Sequence, residues 1–112
     1  MKEYKISDLS KLIEEFRVSR GWKKSDNPKD VSMGVSLEAN ELMAHFTWLD
    51  VDESWKISEN QEVLDEIADV FIGIISMTNM LNIDIYSIVE KKIKSLNKKY
   101  PEIDMVNNKE DE

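Results

Sequence analysis

The chain has 112 residues, 41% of them hydrophobic and 34% charged, with three Gly, two Pro and no Cys. That length suits one domain with a real core, and so few turn formers mark a mainly helical protein. The missing Cys excludes disulfides and thiolate metal sites, and a formal net charge of −8 argues against a nucleic-acid polymer or an anionic membrane as partner.

An anionic small molecule stays open, because bound cations invert a local field. The start, Met1-Lys2-Glu3-Tyr4-Lys5, carries no apolar signal region. No apolar run approaches the roughly 20 residues that span a bilayer, so a cytoplasmic location is expected.

In chain order, Ser7 is a suitable N-cap for a first helix with Asp8 in its first turn, and Leu9, Leu12, Ile13 and Phe16 recur at helical spacing. Gly21 can end it. Trp22 to Asp30 reads as a loop, and Asp30 as the N-cap of a second helix running to about Trp48. Leu49 to Ile57 reads as a polar connector. Ser58 and Gln61 have capping-box spacing and open a third helix to about Leu81. Asn82 suits a left-handed cap, and Asp84 the N-cap of a fourth helix through Lys99, which Pro101 stops. The expected fold is all-α: a bundle of four helices over residues 1–101, with 102–112 an acidic tail expected to fray. The third helix is apolar on more than one face between Val70 and Leu81. A small bundle has little room to bury that, so a helix–helix homodimer is expected.

Two acidic pairs stand out, Glu38-Ala-Asn-Glu41 and Glu66-Ile-Ala-Asp69. Residues three apart on a helix share a face, so each pair aims two carboxylates in one direction. One such pair is ordinary helix surface. Two pairs on successive long helices, the second running into Val70-Phe71-Ile72-Gly73-Ile74-Ile75, are costly to bury without a cation. Oxygen-only ligands favour Mg²⁺, with Mn²⁺ as the alternative. Four carboxylates balance two divalent ions, which suits phosphoryl chemistry.

The other candidates read less sharply. His45 is the single His, one turn after Glu41. A di-iron helical centre would want two Glu-x-x-His motifs, so His45 reads as a packing or surface residue. Trp22 and Trp48 suit core, interface or a stacking platform for a nucleobase. The basic cluster Lys91, Lys92, Lys94, Lys98 and Lys99 complements a helix C-terminus, and one or two of its members could reach phosphate. No Gly-rich phosphate loop, Ser–His–Asp set or Cys nucleophile is present in the sequence.

Taken in order, Phe16-Arg17, Arg20-Gly21-Trp22, Pro28, Glu38-Ala-Asn-Glu41-Leu42, His45-Phe46-Thr47-Trp48, Glu66-Ile-Ala-Asp69-Val70 and Lys99-Tyr100-Pro101 resemble the MazG-like all-α nucleoside triphosphate pyrophosphohydrolases. The similarity is to the short branch that contains dCTP pyrophosphatase, and it spans about Ile6 to Pro101. It implies that Glu38, Glu41, Glu66 and Asp69 bind Mg²⁺. It implies further that Trp22 and Trp48 hold the base and that Lys92 and Lys99 contact phosphate. The implied reaction is hydrolysis of a (d)NTP between the α- and β-phosphates, giving a monophosphate and pyrophosphate, with Glu41 or Glu38 as general base. The implied assembly is a homodimer or a dimer of dimers, and the implied role is removal of non-standard or surplus nucleotides.

Three positions depart from the pattern: Asp26 where relatives often carry His, Gly73 where they often carry Tyr, and Leu96 where they often carry Asn. All three touch pocket or phosphate contacts rather than the carboxylates. A narrower dUTP- or dCTP-specific diphosphatase is therefore one rival. A non-catalytic helical dimer that binds metal or nucleotide without turnover is the other.

Overall fold

The computed structural model describes residues 2–103, and every regular element among them is helical. The helices are α1 (Ile6–Ser19), α2 (Pro28–Ala44), α3 (Val51–Ile57), α4 (Gln61–Met80) and α5 (Ile85–Lys99), with a 3₁₀ turn at Trp22–Ser25. The expected four long helices are these, less α3. The expected tail lies outside the described residues from position 104 on.

Helix ends follow local hydrogen bonding. Gly21 takes a left-handed conformation (φ 73°) beyond α1, and Asn82 does the same (φ 55°) beyond α4. Asp84 caps α5 by accepting the Ser87 backbone N–H at 3.1 Å. Three starts differ from the sequence reading. α1 begins at Ile6, because Asp8 reaches back to the Lys5 backbone N–H at 2.8 Å. α2 is capped by Asn27, not Asp30. The Asn27 side chain accepts the Asp30 N–H at 2.9 Å, and Pro28 occupies the first helical position, where its missing N–H costs nothing. α4 begins at Gln61 behind Asn60, since Ser58 is engaged in closing α3 through its hydroxyl to the Trp55 carbonyl.

The supposed connector holds α3. α2 stops at Ala44, where successive N–H groups of His45 and Phe46 bond three residues back and tighten the chain. Asp50 then caps α3 by accepting the Glu53 N–H at 2.8 Å, while Glu53 reaches back to the Asp50 N–H at 3.2 Å. This is a reciprocal capping box.

α4 is the central helix, flanked by α2 and α1. Gly73 lets α2 and α4 approach closely: a Cβ there would stand 2.8 Å from Val35 Cγ2. Ile13 of α1 and Val63 and Ile75 of α4 form the fully buried apolar core among the described residues. Asn79 ties α4 to α1 by donating to the Ser10 carbonyl at 3.0 Å. Buried Ser76 and Thr78 return their hydroxyls to α4's own carbonyls, so neither is left without a partner.

The outer faces are different. α5 leaves α4 at 103° and has no buried residue. Leu64, Ile67, Phe71 and Ile74 form an exposed apolar stripe along α4. No single described helix is long and apolar enough to cross a membrane.

Candidate metal and nucleotide site

The close α2–α4 crossing decides which carboxylates meet. Glu38, four residues after Gly34 on α2, faces Glu66 and Asp69, which lie three apart on α4. One carboxylate oxygen from each of the three lies within 4.8 Å of the others. Glu38 Oε2 and Glu66 Oε2 are buried and take no hydrogen bond among the described residues. Two orphaned carboxylate oxygens facing one another are unfavourable unless a proton or a cation stands between them.

The electrostatics of Glu38 point the same way. The Glu38 carboxyl is pushed up to about 7, first by burial, then by the neighbouring Glu66 carboxylate that can share its proton, then by the charges of Glu41, Asp69 and Glu66. No cation pairs with Glu38, Glu66 or Asp69 among the described residues. Three hard oxygen donors with two unsatisfied buried atoms are compatible with binding a divalent metal ion.

A cavity of about 640 Å³ opens beside the cluster, lined by Glu38 and Asp69 together with Phe16, Arg17, Trp22, Asp26, Gly34 and Gly73. That size suits a nucleotide-sized ligand. Phe16 and Trp22 meet edge to face, with ring centroids 5.4 Å apart and planes at 80°. The Arg17 guanidinium lies 5.7 Å from the Trp22 ring and is paired with Asp26. Both members of that ion pair are largely buried, so the cavity holds its one lining cation already engaged.

Of the residues singled out in the sequence, Glu38, Glu66, Asp69 and Trp22 come together here. Glu41 stands one turn beyond Glu38, exposed and outside the group of three, and acts on Glu38 through its charge. Trp48 follows α2 in the tightened turn and is 92% exposed. Lys92 and Lys99 are exposed on α5. None of these three lines the cavity within one chain. Sequence reasoning gave no role to Arg17 or Gly34. An isolated Gly inside a helical pattern, four residues before a candidate ligand, was the available signal for the second.

Residues 33–111 match the MazG-like family. The chain belongs to that family. It is 24% identical over 100 residues to dCTP pyrophosphatase 1 of Rattus norvegicus and to that of Homo sapiens, over 86% of this chain and 59% of theirs. The chain thus spans somewhat over half the length of these relatives. A crystal structure of a pyrophosphatase from Archaeoglobus fulgidus DSM 4304 superposes with a TM-score of 0.81 at 32% identity, covering 91% of this chain and 97% of that one.

Proposed function

We propose that this protein is a Mg²⁺-dependent nucleotide pyrophosphohydrolase that cleaves a (d)NTP between the α- and β-phosphates, releasing a monophosphate and pyrophosphate. The observation that carries the reading is the pair of buried, unpartnered oxygens of Glu38 and Glu66 at the edge of a nucleotide-sized cavity. Similarity to proteins named dCTP pyrophosphatase and pyrophosphatase supports the reaction class.

Glu38, Glu66 and Asp69 hold the cation, with Glu41 at the margin of the site. Mn²⁺ is an acceptable substitute, since it also takes oxygen ligands. When bound, the cation polarises phosphoryl oxygens and neutralises developing charge. Glu41, exposed and one turn from Glu38, accepts the proton of the attacking water. Trp22 offers an aromatic face to the base beside the Phe16 ring.

Trp48, Lys92 and Lys99 enter the reading through a second copy. The exposed apolar residues Leu64, Ile67, Phe71 and Ile74 of α4 and the unburied α5 support this reading, since such a patch suits a protein–protein contact. A dimer that covers the α4 stripe and α5 brings a partner's exposed aromatic and cationic residues toward the cavity mouth. Removal of non-standard or surplus nucleotides is the role that fits an enzyme of this kind.

The test is a panel of (d)NTPs with Mg²⁺ and product identification. Monophosphate and pyrophosphate in equal amounts are expected. Orthophosphate release would place the broken bond elsewhere, and silence across the panel would leave a non-catalytic binder.

A further inference from the structure

Each of the three glycines invites the same question: what forbids a side chain there? Gly21 answers with its backbone, since φ 73° is a conformation that L side chains rarely adopt. Gly73 answers with packing, because its Cβ would collide with Val35. Gly34 has neither answer. It sits in the middle of α2 with no positive φ, and a Cβ built on it meets nothing within 4 Å among the described residues. Glycine is the least favourable residue in a helix interior apart from proline. Helix stability is therefore given up at Gly34 without any gain in internal packing.

Its position supplies the reason. Gly34 lines the same cavity as Glu38, Trp22 and Asp69. It precedes Glu38 by one turn, so the two positions share a face of α2, while the Glu38 carboxylate is turned to Glu66 and Asp69 on α4. Asp30, one turn earlier still, lines the cavity too. The stripe Asp30–Gly34–Glu38 is thus two side chains with a gap between them.

We propose that Gly34 is a specificity-determining residue, its missing side chain being the floor on which the nucleoside half of the substrate lies beside the Glu38–Glu66–Asp69 cluster. This rests on the nucleotide reading above and adds to it where along the cavity the ligand runs. Any side chain at position 34 occupies the volume of the sugar and base and leaves the phosphate end untouched.

Gly34→Ala and Gly34→Leu, both better helix formers, test it on the full chain. Binding of inorganic pyrophosphate and of nucleoside monophosphates is measured by calorimetry with Mg²⁺ present, next to thermal melts. The expected result is a melting temperature at or above wild type for Gly34→Ala. Monophosphate affinity falls in the order Gly, Ala, Leu, by at least tenfold for Leu, while pyrophosphate affinity changes less than twofold. Unchanged monophosphate affinity in both variants overturns the proposal, as does a parallel loss of both ligands. A lowered melting temperature for Gly34→Ala also overturns it, because the added methyl group would then be meeting protein. Failure of the parent reading looks different: the wild-type chain itself would turn over no nucleotide.

Discussion

The α2–α4 crossing and α5 are two halves of one chain built to different standards. At the crossing, Gly73 and Val35 bring two helices together closely enough to bury oxygens of Glu38 and Glu66. α5, of similar length to α1 and with apolar Ile88, Val89, Ile93 and Leu96 along it, buries no residue at all. The acidic cluster of Glu38, Glu66 and Asp69 is thus assembled within a single chain, whereas Lys92 and Lys99 on α5 do not line its cavity. Close packing is concentrated where like charges are held together. The apolar surface left over on α4 and α5 is what a second copy would cover.

The comparison is broken most sharply at the crossing. Glu66→Gln should lower turnover on the order of 10²- to 10³-fold, the scale of losing one preorganised charge-stabilising group, while far-UV circular dichroism keeps its helical signal. Retained activity would show that the cluster does not do the chemistry. The outer face comes next. Ile67→Glu places a charge on the exposed α4 stripe, where each Ile is worth about 1.5–3 kcal/mol if buried, and two-fold symmetry applies the loss twice. Sedimentation should show dissociation to monomers, and amide exchange in α5 should accelerate. A wild-type chain that already sediments as a monomer would remove the basis for a completed site.

A smaller effect separates proton from cation at the cluster. The Glu38 carboxyl lies near 7 when folded and near its ordinary 4.5 when unfolded. The folded chain therefore binds more protons between those values, and stability is lost as pH rises from about 4.5 through about 7. With EDTA present, the melting temperature should fall across that window. Mg²⁺ should raise it at the upper end, and Glu38→Gln should flatten the trend. A flat profile in the wild type would mean that the two carboxylates are farther apart or wetter than described. Smallest of all, Asp50→Ala removes the cap of α3 and should cost about 1 kcal/mol in denaturant melts, with little change at the crossing.

Much of this was legible in the residues themselves. The long helices follow from apolar spacing, and the glycine, asparagine and aspartate punctuation at 21, 82 and 84 follows from the conformations those residues favour. The capping box of Asp50 and Glu53 was equally present in the sequence, but the polar run around it hid a helix of seven residues. Asn27 displaced Asp30 as a cap because Pro28 fixes the first helical turn one step earlier.

The sequence by itself determined that the protein is helical, that two acidic pairs lie on separate helices, and that the chain carries the motifs of the MazG-like family. Those are local properties, set by side-chain period and backbone preference within a few residues. Only the tertiary structure decided that Glu38, Glu66 and Asp69 converge while Glu41 stays outside, that Arg17 is held by Asp26, and that Gly34 faces open space. Such facts depend on how deeply one helix settles against another, and that depth is set by contacts such as Gly73 on Val35, between residues far apart in the chain.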